Sequence, residues 1–372
     1  MHRMLLPLAL AACVAPDPGP GGAGLGEALE AGCEEGRVAG AVALVGRGDE
    51  VLARAVHGLR AVSPEPEPMT ADTLFDLASL TKPVATATSV LVLLDRGSLR
   101  LDDPVAVHLP AFASNGKEAI TVEMLLRHRS GLVADNALAD YAQGPEVAWR
   151  RLLDLTPRHE PGTTFVYSDV GYLVLGRLVE ALSGMPLDRF AGEAVFRPLG
   201  MDDTGFRPAP DLWSRCAPTE ARDGHLLRGE VHDPRSAALG GVAGHAGLFG
   251  TAEDLALWCR MVLAGGELEG VRVLSAASAA ALLEPASLPD GSGPRTLGLD
   301  ADPGTSARGS RFPAGRSFGH TGFTGTSLWL DPETGGFVVT LSSRLHLDGA
   351  GTAVPLRRRA ADAAAELLRP GR

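Results

Sequence analysis

An α+β fold, with one antiparallel sheet assembled from both chain ends, flanked by helices and interrupted by a mostly helical insertion, is what this sequence predicts. Three observations carry it. Two β-rich runs lie near the start, Gly40–Arg47 and Val51–His57, and two more lie near the end, Thr324–Leu330 and Gly336–Ser342. Between them the apolar residues recur with helical spacing. A chain of 372 residues is one large domain or two intimately joined ones. With 45% hydrophobic and 21% charged residues, disordered and fibrous classes are excluded. A formal charge of −11 leaves no basic footprint for nucleic acid, and no apolar run is long enough to cross a bilayer.

Residues 1–24 read as a leader and linker. A positive start, Met1-His2-Arg3-Met4, precedes a short apolar run, Leu5–Ala12, and then Cys13, which is the outline of a secretory signal. Leu10-Ala11-Ala12-Cys13 also resembles the processing box of bacterial lipoproteins, so Cys13 is a lipidation candidate, and Pro16–Gly24 suits a tether. The expectation is an exported protein, periplasmic or lipid-anchored in the envelope, and a cytoplasmic one if the leader is not a signal.

The sheet domain takes residues 25–98 and 240–370. Leu25–Gly36 has helical spacing, and the two early strands form a hairpin about Gly48-Asp49. After the Pro-rich loop Ser63–Pro68, a helix runs from Ser79 through Leu94, with Pro83 tolerated in its first turn and Gly97 as its stop. Residues 99–239 form the helical insertion. There Thr121 caps Val122–Arg127, and Glu146–Leu155 and Gly171–Ser183 carry helix-period apolar residues. Beyond the glycine-rich Gly240–Gly250, Thr251 opens a helix with an acidic first turn that reaches about Ala264. Pro285–Arg316 is loop-rich, with one candidate strand at Thr296–Asp300. Asp331–Gly335 is the turn between the late strands, and a helix over about Leu356–Leu368 closes the chain. Cys33, Cys216 and Cys259 form no close pair and no metal spacing, so they read as small buried hydrophobes.

The basic residues are almost all arginine, with Lys82 and Lys117 the two lysines, and tyrosine is confined to Tyr141, Tyr167 and Tyr172. Arginine serves as a solvated charge but cannot be deprotonated in a protein, so a retained lysine is a candidate for proton chemistry. Lys117, in the polar turn Ser114–Lys117, reads as a surface lysine. Lys82 stands three residues after Ser79. On a helix that offset puts amine and hydroxyl on one face, where the amine can act as the base that makes serine nucleophilic. Tyr167, in Tyr167-Ser168-Asp169, is a phenol that could relay a proton if an ammonium lay beside it. His320-Thr321-Gly322 precedes a strand, and the small Gly322 would let a substrate backbone approach the strand edge. His232, Asp233 and His245 are metal-ligand types without helical pairing. No metal site and no cofactor is expected, and His245 reads as a substrate-contacting or loop-ordering residue or as a purely structural one.

In this order and spacing, Ser79-x-x-Lys82, Tyr167-x-Asp169 and His320-Thr321-Gly322 resemble the serine β-lactamase and penicillin-binding-protein superfamily. The likeness is to its branch of class C β-lactamases, DD-peptidases and esterases, and it covers nearly all of the chain after Leu25. Leu125–Leu132, Arg197–Met201 and Gly247–Leu255 support it. Ala217–Glu220, Arg228–Asp233 and Gly240–Gly247 resemble a subgroup of muropeptide amidases and weak DD-carboxypeptidases of cell-wall turnover. The resemblance implies a β-lactamase/transpeptidase-like fold. It further implies Ser79 as acylated nucleophile, Lys82 as base, Tyr167 as proton relay, and an oxyanion hole at the N–H groups of Ser79 and Phe323. Asp169, His320, Thr321, Gly322 and His245 would face the substrate.

Two positions depart from the pattern. Asp169 stands where asparagine is common, and His320 where lysine is common, so a fixed cation is replaced by a group expected to titrate near neutrality. Both changes make the site less positive and argue against an efficient β-lactamase, unless Arg222, Arg228 or Arg316 returns the charge. Asp169 should also keep Lys82 protonated, which leaves more of the base role to Tyr167. The expectation is a monomeric hydrolase of a peptidoglycan-derived or other small substrate, an amidase or carboxypeptidase. A broad carboxylesterase, a weak class C-type β-lactamase and a non-catalytic cell-wall sensor are the alternatives.

Overall fold

The computed structural model describes residues 22–287, 290–301, 308–346 and 349–369. The leader and Cys13 lie outside the described residues. Strands from both ends of the chain meet in one sheet. Helix α1 (Gly22–Gly36) leads into β1 (Gly40–Arg47) and β2 (Glu50–Ala61), followed by the short edge strand β3 (Glu67–Pro68). The C-terminal half supplies β4 (Phe318–Thr321), β5 (Ser327–Asp331) and β6 (Gly336–Ser342), and the spatial order is β4-β5-β6-β1-β2-β3, all antiparallel.

The seam between the two ends is β1 against β6, with Leu44 opposite Val339 and Val42 opposite Leu341. Both strands are buried almost throughout because each face is covered. Alternation divides their side chains between two cores, as a strand period of two requires. Ala41, Ala43, Val45 and Val338 pack with α1 and the last helix, α6 (Val354–Leu367). Val42, Leu44, Val339 and Leu341 join the larger core.

The larger core continues into α2 (Thr88–Asp95), α4 (Asp169–Ser183) and α5 (Ala252–Leu263), while α3 (Pro145–Leu153) lies on its rim. α2 and α4 are apolar around most of their circumference, as helices buried on several sides are. Among the described residues no single helix is long and apolar enough to cross a membrane. The caps act as their sequence suggests: Thr121 Oγ1 accepts the Met124 N–H at 3.2 Å, and Thr251 Oγ1 accepts that of Asp254 at 3.3 Å. Cys33, Cys216 and Cys259 are buried and free.

Four expectations are corrected. The helix expected over Ser79–Leu94 is three pieces: a 3₁₀ turn (Ala78–Leu80), a wide π-type turn (Lys82–Ala87) and α2. Pro83 has no N–H for a regular ladder, and such wide turns are common at functional sites. His320 and Thr321 lie on a strand of their own, β4, rather than before one, and the next strand starts only at Ser327. Thr296–Asp300 is no strand: Asp300 makes isolated bridges to Arg295 and Gly319. Lys117 is no surface lysine. Its side chain is covered, its Nζ donates to the carbonyls of Ser114 (2.7 Å) and Leu155 (2.6 Å), and it lies 5.5 Å over the Phe112 ring. This ammonium ties two loops of the insertion together.

Candidate active site

Ser79 sits on a turn that is clamped from both sides. Asp76, buried just upstream, accepts the Ala78 N–H at 2.8 Å with one carboxylate oxygen and the His232 N–H at 2.7 Å with the other. Ala78 itself has a left-handed φ of +47°, a conformation that costs an alanine on the order of 1 kcal/mol and persists only where its surroundings enforce it. On one side Leu77 N–H bonds to Leu248 O (2.9 Å), and Thr81 Oγ1 accepts the Leu248 N–H (3.1 Å). On the other, Thr326 Oγ1 donates to Leu77 O (3.0 Å) and Thr324 Oγ1 to Asp76 O (2.7 Å).

Gly322 belongs to this clamp. A Cβ there would stand 2.1 Å from Thr326 Oγ1 and 2.5 Å from Leu77 O. Its small size is therefore demanded by packing against the Ser79 turn, a reason the sequence did not suggest.

Lys82 is fully buried, and three oxygens surround its Nζ: Ser79 Oγ at 2.8 Å, His245 O at 3.1 Å and Asp169 Oδ1 at 2.7 Å. An ammonium has three donors and no acceptor, so this shell fits the charged form. Burial alone would press its pKa down, but Asp169 and Tyr167 outweigh burial and hold it at about 12. The Asp169 carboxyl is also pulled by burial toward neutrality, yet Lys82 and His245 keep it below the usual range.

Tyr167 completes the cluster. Lys82 Nζ lies 4.9 Å from its ring centroid, and Lys82 and Ser79 both act to lower its phenol pKa. Burial raises the phenol above its ordinary pKa more than Lys82 lowers it. The resting site is thus a serine hydroxyl, an ammonium, a carboxylate and a neutral phenol.

The chain positions Tyr167 through its neighbour. Ser168 caps α4, its Oγ accepting the Gly171 N–H (3.0 Å) and donating to Val133 O (2.6 Å). The Ser168 N–H in turn donates to His128 Nδ1 at 2.9 Å. The His128 ring lies 4.6 Å from that of Tyr167, and burial holds this imidazole neutral, well below its ordinary pKa.

His320 is also buried, with Nδ1 on Thr321 O (2.9 Å) and its ring 6.0 Å from Tyr167. Burial pushes its pKa down to about 4, so it does not titrate near neutrality as expected, and it presents a neutral ring to the site. Thr321 is half-buried at the end of β4. Phe323 is 59% exposed with His232 stacked 5.5 Å away, and its N–H takes part in no backbone hydrogen bond among the described residues.

The three arginines considered as replacement cations are already engaged. Arg222 serves Glu220 and His232 O, each at 2.7 Å; Arg228 holds Glu67; and Arg316, largely exposed, faces Glu333 at 3.4 Å. The arginine that does stand by Tyr167, beside Lys82, is Arg295, buried and 6.0 Å from its ring centroid.

His232, Asp233 and His245 do not come together as a trio, since His232 turns to Glu220 at 3.3 Å. His245 Nε2 instead meets Asp233 Oδ1 at 2.8 Å, and Asp169 joins them, one ligand-type atom from each lying within 4.8 Å of the others. The Lys82 ammonium already neutralises Asp169, so a metal ion would have to displace a buried ion pair, and the group reads as an electrostatic network.

Asp76, His128 and Arg295 were not singled out from sequence. His128 lies in the stretch Leu125–Leu132, and Asp76 lies three residues before Ser79. Arg295, in a loop, carried no local signal.

A protein of Escherichia coli K12 named "Putative D-alanyl-D-alanine carboxypeptidase" is 32% identical over 311 residues, which span 76% of this chain and 71% of that one. The solved structure of a family VIII carboxylesterase superposes with a TM-score of 0.74 at 23% identity, covering 94% of this chain and 98% of its own. A penicillin-binding protein homologue from Caulobacter crescentus gives a TM-score of 0.73 at 22% identity, covering 95% and 99%. These two likenesses show the fold. The family model described as Beta-lactamase matches residues 25–363, and this chain, a serine hydrolase, belongs to that family.

Proposed function

We propose that the enzyme forms an acyl-enzyme on Ser79 and cleaves an amide or ester bond of a cell-wall muropeptide or D-amino-acid peptide. The observation that carries this reading is the contact of Ser79 Oγ with Lys82 Nζ at 2.8 Å inside a cluster that includes Tyr167. Ser79 attacks the substrate carbonyl and passes its proton to the Lys82–Tyr167 pair, which has first lost one proton to solvent. The N–H groups of Ser79 and Phe323 hold the oxyanion, worth several kcal/mol when such donors are preorganised. Tyr167 returns the proton to the departing amine or alcohol, and water then releases the acyl group by the reverse sequence.

The carboxypeptidase-named relative supports a wall-derived peptide. The weakly cationic site limits what it attracts: His320 is neutral, Lys82 and Arg295 are offset by Asp169 and Asp300, and Arg222, Arg228 and Arg316 face other acceptors. A substrate with a free carboxylate beside the scissile bond gains little here, which favours an internal amide or an ester. The same observation supports a second reading, a broad carboxylesterase. Intact-protein mass spectrometry after exposure to a muropeptide, a p-nitrophenyl ester and a β-lactam tests both. A transient adduct from the muropeptide is expected, and turnover of the ester alone would favour the carboxylesterase. Ser79→Ala should lose every adduct, and undiminished labelling of that variant would sink the assignment. Envelope location through Cys13 is part of this proposal, and Cys13→Ser should move the protein from the membrane to the soluble fraction.

A further inference from the structure

Arg295 reaches Tyr167 from a loop that no motif marks. It is 6% exposed, with its guanidinium carbon 4.8 Å from the Phe165 ring centroid and 6.0 Å from that of Tyr167. The residue is held at its backbone and at one edge of its guanidinium. Its backbone pairs with Ala286 in both directions (2.9 and 3.1 Å), and its carbonyl accepts Arg127 Nη1 at 2.5 Å. Its guanidinium pairs with the Asp300 carboxylate. Asp300 is fixed in turn by two backbone hydrogen bonds to Gly319 (2.7 and 3.0 Å), the residue before His320. A buried guanidinium packed on two aromatic rings of the Tyr167 segment is a built feature rather than a solvated charge.

We propose that Arg295 is a positioning residue for proton transfer: with Asp300 it holds the Tyr167 ring in place and supplies the positive charge that favours the deprotonated Lys82–Tyr167 pair. This rests on the reading of Tyr167 as proton relay. The charged and titratable groups around Tyr167 are Lys82, Asp169, His128, His320, Tyr172 and the Arg295–Asp300 pair. Both imidazoles and Tyr172 are kept neutral by burial, and Lys82 and Asp169 offset one another. The pair loses the first of its two protons in a macroscopic step that belongs to both groups, whichever atom releases it. A fixed cation nearby favours that loss, and Asp300 opposes it.

The test is the pH dependence of kcat/KM on a p-nitrophenyl ester for wild type, Arg295→Met, Arg295→Lys and Asp300→Asn, with thermal melting as the folding check. Arg295→Met should move the midpoint of the profile up by about one pH unit and lower kcat/KM about tenfold near neutrality. It should converge on wild type at high pH, with kcat rather than KM carrying the loss. Arg295→Lys should restore most of the shift. Asp300→Asn should move the midpoint down, and this variant carries the test if Arg295→Met does not fold.

An unchanged midpoint in Arg295→Met, an equal loss at every pH, or an upward shift in Asp300→Asn would overturn the proposal. A wild type that forms no Ser79 adduct would remove the underlying acyl-enzyme reading and this proposal with it. Normal adducts with unchanged variant profiles would remove the proposal alone.

Discussion

Lys82, the proposed base, is held as a cation. With its pKa at about 12 and the Tyr167 phenol also raised, the pair keeps both protons at neutral pH. kcat/KM on an ester should therefore climb by about tenfold per pH unit between about pH 7 and 9, because each unit exposes ten times more of the base form. A plateau already reached below pH 7 would show that another group is the base. Tyr167→Phe should lower kcat by a factor of about 10² to 10⁴. His320 makes a prediction about stability. Its folded pKa of about 4 lies below the ordinary 6.5, so the unfolded chain takes up the proton first as pH falls. That contribution is present above about pH 6.5 and is lost progressively toward pH 4, a change of about 3 kcal/mol. Urea unfolding at pH 7.5 and 4.5 should show a smaller pH difference in His320→Gln than in wild type. Ser79, Lys82 and Tyr167 were legible because their residue types are rare or locally spaced. The charge states of Lys82 and His320 were not, since partners from remote segments set them.

Among the elements, the glycine turn after β4 matters as much as the helix that follows Ser79. Gly322 lets this turn close on Leu77, and Thr324 and Thr326 then hold the Ser79 turn by their hydroxyls. Gly322→Ala forces a methyl into that contact and should cost about 1–3 kcal/mol. Its effect on kcat should exceed that on KM, because the two segments pushed apart carry the N–H groups of Phe323 and Ser79, the proposed oxyanion hole. Steady-state kinetics alongside a thermal melt would check this, and unaltered kcat would show that the clamp tolerates the shift. β4 itself was not read from sequence. Phe318-Gly319-His320-Thr321 has too little apolar alternation to mark a strand, and it pairs because β5 lies beside it. The three-part segment from Ala78 to Asp95 escaped for a related reason: apolar spacing reports a helical face but not a change of winding within it.

At the scale of the molecule, the chain ends hold the site by closing the sheet. The β1–β6 seam joins them, and α1 and α6 cover its outer face in a core separate from the one that supports Ser79. Leu356, fully buried in that outer core, should lose about 2–5 kcal/mol on replacement by alanine. Urea unfolding would measure the loss, while kcat/KM below the transition should stay within about twofold of wild type. A large kinetic defect in a folded Leu356→Ala protein would show that the outer core is coupled to the site.

The sequence by itself determined what depends on neighbours within a turn or two. β1 and β6 were bounded to the residue by their apolar runs, Thr121 and Thr251 were recognised as caps, and Ser79 and Lys82 were placed on one face. Only the tertiary structure decided what depends on distance and burial. It turned Lys117 inward to two carbonyls, set Asp169 against Lys82, silenced His320, and brought Arg295 rather than Arg222, Arg228 or Arg316 to Tyr167. Spacing along the chain encodes helical faces and strand alternation, whereas Coulomb and desolvation energies depend on separations between segments that only folding brings together.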